Sequence, residues 1–414
     1  MKDTNRYSVL YKTNISLVIN KKDIIKIPSS DIVSISIVNN YDTMTYPIIR
    51  IRLYSDISLI EEISENYNDI YVRGNLDGGV YRMNDDDKTP VLISPTKGIS
   101  IKMKTYIENK NTPTSSMDQY EDGIKKNNDL NENVKVPIEL YCYDDSLIHN
   151  MKQKSQSIYK SMSLTSIIED MFRRSEILQY EIDPLDNQNK FNQVLIPNLN
   201  ILKSLSFLET NYGLHKKGSQ IFGDIDKFYL CSMDVNNNTK PLPIYVDSYK
   251  SNSDMGGMRR FSNNFNMNIK ASNVSVMSQT DIERIMNSQE MVTVDLNNLR
   301  VDTNRLQKLY AVQGVDKTSG NISTPNILHK TKNEYITDFN IARINEKITR
   351  VDVSGVGFDI SKMKINTRYN LIFESPIRGM SMNEYYRSTY TCHVLSNLDS
   401  DLFISQTTMN LCSN

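Results

Sequence analysis

Apolar and polar side chains alternate strictly near the start of the chain. Ile35 and Ile37 fall on one face of an extended segment with Ser34 and Ser36 on the other, and Ile49, Ile51 and Leu53 alternate with Arg50 and Arg52. A period of two marks a half-buried strand, here with a cationic outer face. The same reasoning predicts strands at Ile15–Ile19, Ile24–Ile27 and Ile32–Val38, then at Ile70–Val72, Val91–Ile93, Ser100–Met103 and Val136–Tyr143. Between them the period changes. From Asp56, residues Ile57, Leu59, Ile60, Ile63, Ser64 and Tyr67 suit a helix of about three turns. Residues 1–145 therefore read as a small antiparallel sheet or barrel with one helix. Glu108–Val134 carries almost no apolar residues and many turn formers, so it reads as an exposed insert of about 108–134 that cannot offset its own ordering entropy.

The period is helical in residues 146–240. Leu164, Ile167, Ile168, Met171 and Phe172 fit an apolar stripe behind Ser163, a residue type that caps free amides. Pro184 ends that region, and Phe191–Ile196 is extended. Ile201, Leu202, Leu205, Leu208 and Tyr212 then share the broad face of a second helix. Asn198 or Asn200 can cap its first turn, and Gly213 can take the left-handed position that ends it. A two-stranded hairpin follows up to Cys231.

Residues 241–414 return to short strands. Candidates are Ile244–Val246, Phe265–Ile269, Met291–Leu296, Tyr335–Ile344, Ile348–Val353, Tyr369–Glu374, Tyr386–Leu395 and Leu402–Leu411, with a short helix around Asp281–Asn287. Ser354-Gly355, Pro376–Gly379 and Asn397–Asp401 read as the turns between strands, and Gln313–Lys332 as a polar connector of about 313–332. Short strands with turn signals indicate a second antiparallel barrel or sandwich.

Length and charge narrow the class. A chain of 414 residues exceeds one ordinary core. Its 48 basic and 49 acidic side chains balance, so the basic excess of a chain that grips nucleic acid is missing and no sequence-specific nucleic-acid binding is expected. The longest charge-free apolar region, near Ile32–Asn40, is about half of a bilayer span, so no membrane span is expected. Met1–Ser8 is polar, unlike a secretory leader, and synthesis and folding in the cytoplasm are expected. Cys142, Cys231, Cys392 and Cys412 show no motif spacing and read as small buried hydrophobes.

Chemistry is sparse. His149, His215, His329 and His393 lie far apart, and no nucleophile elbow, phosphate loop, dinucleotide fingerprint or zinc signature is present. Gly355 and Gly357 lack the Lys-Ser/Thr of a phosphate loop. Asp85–Asp87 lacks the alternate spacing and glycine of a calcium loop. Cys392-His393 tempts as a metal pair, but neighbours on a strand point to opposite faces, so a core cysteine and a rim histidine are expected. No catalytic, cofactor-binding or metal-ligating residue is assigned, and no enzyme activity is expected. Arg50 and Arg52 read as a solvated sheet face, with a lumen or a neighbour's acidic rim as the alternative.

The order of residues 191–231, "IPNLN…L-x-x-L…YG…F-x-D…FYL", resembles the middle domain of phage baseplate hub and late-control tail proteins. The segment Tyr385–Ser405, with its histidine-containing strand, turn and last strand, is similar to their closing hairpin. The resemblance implies an α+β, β-dominated fold in which two antiparallel tail-tube-like β-barrels (1–145 and 241–414) flank a helix-hairpin α/β domain (146–240). It also implies a structural virion protein: a homotrimeric tail hub in the baseplate that adapts a hexameric tail tube to a trimeric central spike and encloses the DNA channel. Tape measure protein and other baseplate subunits are further implied partners. A tail-associated cell-wall hydrolase and a receptor-binding β-protein are the alternatives.

Overall fold

The computed structural model describes residues 6–21, 23–40, 46–56, 69–83, 90–106, 135–145, 152–225, 227–234, 241–246, 351–363, 367–373, 385–399 and 401–412. It also describes isolated positions within 59–66, short strands within 269–302, and residues 150, 333 and 335. Eight strands form the first block: β1 (Arg6–Ile19), β2 (Asp23–Ile27), β3 (Ile32–Asn40), β4 (Ile48–Asp56), β5 (Ile70–Met83), β6 (Val91–Pro95), β7 (Ile99–Tyr106) and β8 (Lys135–Tyr143). The middle block contains β9 (Ser155–Ser163), α1 (Leu164–Arg174), β10 (Tyr180–Ile182), β11 (Lys190–Leu199), α2 (Ile201–Tyr212), β12 (Ser219–Gly223) and β13 (Phe228–Ser232). Then follow β14 (Leu242–Val246), β15 (Ile269–Ala271), β16 (Asn273–Val276), β17 (Thr293–Asp295), β18 (Arg300–Asp302), β19 (Val351–Val356), β20 (Tyr369–Phe373), β21 (Tyr385–Asp399) and β22 (Leu402–Cys412). The predicted class holds: the protein is an α+β fold dominated by strands.

The β-rich blocks are not two separate antiparallel barrels. Fifteen strands belong to one sheet, and that sheet is mixed, because β14 runs parallel to both β15 and β20. The physical reason lies in the final hairpin. Strand β21 pairs with β3 through Tyr390–Ser396 and with β20 through Tyr385 and Tyr386, all on one edge. Its partner β22 pairs with β1 through Leu402–Ile404 and with β19 through Gln406–Leu411 on the opposite edge. One hairpin is thereby shared by both lobes. From β21 the path β3-β4-β8-β7-β5-β1 leads to β22, which is hydrogen-bonded to β21 itself, so these strands wrap round the first core.

Three large clusters of buried side chains follow from this layout, beside a small one of Phe222, Tyr229 and Cys231. The first joins Val9, Leu17, Ile35, Ile51, Val72, Ile101 and Leu140 to Leu395 and Phe403 of the hairpin. Ile63, at a helical position of the predicted first helix, is buried there too. The second belongs to the middle block and joins the α1 stripe to Leu205, Leu208, Ile221 and Leu230. The third joins Ile244, Val351 and Tyr369 to Tyr386, Met409 and Leu411 of the same hairpin.

Both helices form where periodicity places them. Ser163 accepts a bond from the Ser166 amide and all five stripe residues of α1 are buried. Asn200, not Asn198, caps α2 by accepting from the Lys203 amide at 3.0 Å. Gly213 ends α2 at φ 72°, a conformation that costs glycine little. One predicted turn is absent: Ser354 and Gly355 lie inside β19, and the chain bends at Gly357, whose φ is 75°. The insert 108–134, the connector 313–332, Asp85–Asp87, His149, His329, Asp281–Asn287, Pro376–Gly379 and most of Tyr335–Ile344 lie outside the described residues.

Candidate functional site

The hairpin β21–β22 is where the lobes meet, and its inward face turns polar there. Thr391, His393, Ser405 and Thr407 are all buried, between Leu395 and Phe403 on one side and Met409 and Leu411 on the other. His393 Nδ1 lies 2.8 Å from Thr407 Oγ1. Ser405 Oγ donates to the Phe358 carbonyl at 2.8 Å, and the Tyr11 hydroxyl donates to the same carbonyl while accepting from the Ile360 amide. Strand β1 is thus tied to the segment after β19 through buried hydrogen bonds, whose loss would leave polar groups unsatisfied.

Cys392 and His393 do point to opposite faces, but their roles are the reverse of those predicted. His393 is 3% exposed and Cys392 is half-buried. The alternation puts Thr391, His393 and Leu395 inside, and Thr407 gives the imidazole a polar partner there. Burial holds His393 down at about 4, below its usual 6.5. In the unfolded chain the imidazole binds a proton below about 6.5, so the unfolded state carries more protons between these values and stability falls as pH drops through that window. The loss amounts to about 3 kcal/mol when complete. Comparing urea midpoints of wild type and His393→Gln from pH 7 to 4 checks this: the difference between them shrinks or reverses on acidification, and a constant difference refutes it.

A second polar cluster seals the end of α2. Glu209, 4% exposed, accepts from the Leu214 amide and from Ser219 Oγ at 3.2 and 2.9 Å. Ser219 Oγ is 2.7 Å from His215 Nδ1, and because the hydroxyl already donates to Glu209, the network assigns the proton of this contact to Nδ1. Burial lowers the His215 pKa against the pull of Asp186 and Asp183. Serine, histidine and carboxylate therefore meet, but in the wrong order for acyl transfer: the hydroxyl sits between the other two, and among the described residues no side chain orients the imidazole as a base. The cluster is a cap. Asn187 donates to the Tyr212 and Gly213 carbonyls, and Asn333 donates to those of Glu209 and Thr210, which clamps a residue from far along the chain onto α2. In the sequence His215 stands apart from the other histidines, and Ser219 at the start of a strand carries no periodic signal.

The outer faces and edges carry the remaining candidates. Arg50 and Arg52 are exposed on β4, as predicted. Arg50 stacks 5.2 Å above the Tyr141 ring and Arg52 meets Glu139 at 3.4 Å, so both are engaged by β8 next door. Among the described residues strand β6 pairs only with β5, and it shows Val91, Leu92 and Ile93 at 43, 52 and 38% exposure. Ile158 and Leu195, directly opposite on the β9–β11 ribbon, are similarly exposed. Among the described residues no group of three or more histidine, cysteine, aspartate or glutamate side chains has metal-binding geometry.

Solved structures resemble this one at low identity, the first of them at the level of fold. The tail protein from Neisseria meningitidis MC58 is 9% identical, with 98% of this chain and 97% of that chain covered and a TM-score of 0.51. The 43 kDa tail protein of prophage MuSo2 from Shewanella oneidensis is 10% identical, with 96% of each chain covered and a TM-score of 0.47. A Francisella PdpA-VgrG complex is 10% identical over all of this chain and 59% of that chain, at a TM-score of 0.42. Among curated proteins none matches. The expected likeness to tail proteins thus holds at the level of fold. Residues 7–390 match the family of the bacteriophage PBS1 gene 109 protein, and the chain belongs to that phage family.

Proposed function

We propose that this chain is a structural subunit of a phage tail: a baseplate hub that trimerises, joins a hexameric tail tube to a threefold spike and encloses the DNA path. The observation that carries the reading is the shared hairpin, with one strand-built core on each side of it. Two lobes per chain in three copies make six units round an axis, which reconciles threefold with sixfold symmetry, and closed rings satisfy open strand edges. Edges of this kind are present at β2 and β6. The role is geometric, carried by no catalytic group. The division into 1–145, 146–240 and 241–414 is part of the proposal, the middle block acting as a wedge whose core is joined by Tyr46 of the first block. Mass photometry and negative-stain imaging of the purified chain test it. A trimeric ring with six lobes is expected; a strict monomer at micromolar concentration that gains no ring on adding tube or spike protein sinks it.

A further inference from the structure

One row across the outer face of the sheet has an unusual charge. Ser16 of β1 faces Lys26 of β2 on one side and Arg73 of β5 on the other. Arg73 in turn faces Lys102 of β7. Lys26, Arg73 and Lys102 are all exposed, and among the described residues none of them has a hydrogen bond, ion pair or ring contact. At a strand spacing of about 4.8 Å the row spans about 14 Å. Like charges directly opposite each other on neighbouring strands are destabilising, so the fold keeps Arg73 beside Lys102 at a cost that an anion would remove. The contrast with the rest of this face is plain: Lys12 lies opposite Asp77, Lys104 meets Asp145 at 3.8 Å, and Arg52 meets Glu139.

The surroundings say which anion fits. On one side the row is lined by short polar side chains, Asn14, Asn75 and Ser100, which leave the cations accessible. On the other side runs a parallel row of Ile24, Val18 and Tyr71, with Ile24 67% exposed. A phosphate backbone has no use for an exposed isoleucine. A protein surface does: an apolar anchor beside a charged rim is the ordinary make-up of an interface, and complementary charge gives it register and rate of approach. The open edge of β2 borders the patch and can accept an extended segment.

We propose that this face of β2, β1, β5 and β7 docks an acidic surface of a separate protein, with Lys26, Arg73 and Lys102 holding carboxylates and Ile24 seated against an apolar or aromatic side chain. The inference does not depend on trimer formation, since one copy presents the whole patch.

The test uses the full chain and a fluorescent glutamate–tyrosine copolymer as the acidic, aromatic probe, read by anisotropy at low and physiological salt. Wild type binds, and the triple variant Lys26→Gln, Arg73→Gln, Lys102→Gln weakens binding by about tenfold or more, the difference fading as salt rises. Ile24→Ser weakens the copolymer but not poly-glutamate. Circular dichroism and a urea midpoint confirm that both variants fold. Unchanged affinity in the triple variant, or no binding by wild type, overturns the proposal. It is overturned equally if duplex DNA displaces the copolymer through the same three residues, which would make the row a nucleic-acid strip.

Discussion

A chain ended at residue 384 will lose both lobes at once and keep only its helical block. The missing hairpin supplies Leu395 and Phe403 to one core and Met409 and Leu411 to the other. Burying each such side chain is worth about 1.5–3 kcal/mol, so four of them are worth about 6–12 kcal/mol, comparable to the net stability of about 5–15 kcal/mol of an ordinary domain. The cut also strips hydrogen-bonded partners from β3, β1, β19 and β20, and bare edges of that kind aggregate. The middle block differs, because its core draws on no hairpin residue. The expected result is an aggregation-prone product without a cooperative urea transition for the sheet, whose far-ultraviolet spectrum retains the signal of α1 and α2. A soluble truncated chain with a sharp sheet transition would show that each lobe holds together by itself.

Gly74→Ala is expected to be the most damaging single substitution of a small residue by another. A Cβ there would lie 2.2 Å from the Asn14 carbonyl oxygen and 2.9 Å from Ile15 Cα, both backbone atoms of the paired strand. Backbone in the middle of a long ladder cannot give way as a side chain tip can: β1 and β5 pair without a break from Arg6–Met83 to Ile19–Ile70. The cost is steric and comes from close approach alone. Overpacking of this sort costs about 1–3 kcal/mol, with larger values where backbone must move, and a loss of about 3 kcal/mol or more is expected from the urea midpoint. Gly98→Ala is the control, because the atom nearest to its Cβ is the Asp77 carboxylate oxygen at 3.0 Å. Equal midpoints for the two variants would refute the account.

What could be read from the chain beforehand was local. The cap at Ser163, the stripes of α1 and α2, the stop at Gly213 and the Arg50–Leu53 alternation each depend on neighbours a few residues away, and each is present. Local pattern marks only Ile70–Val72 of strand β5, because Gly74, Asn75, Asp77, Gly78 and Gly79 look like turn formers. Gly78 and Gly79 are in the strand because Tyr11, Thr96 and Leu92 press on it where a Cβ would stand. The first half of β1 was missed for a related reason: its inward positions include Tyr11 and Thr13, whose hydroxyls are satisfied by distant partners. Pairings such as Leu10 with Ile404 join the two ends of the chain, and no local period encodes them. The cationic row escaped notice likewise, since Lys26, Arg73 and Lys102 become neighbours only through register.

The double membership of the last two strands bears on how such proteins diversify. Neither lobe is a cassette that recombination between related phages could exchange alone, because every breakpoint that moves one lobe splits the ladder of the other. Grafting a foreign module is therefore expected to succeed at the middle block, whose core takes no side chain from β21 or β22, provided that Tyr46 of the first block is kept against it, and to fail across β21 and β22.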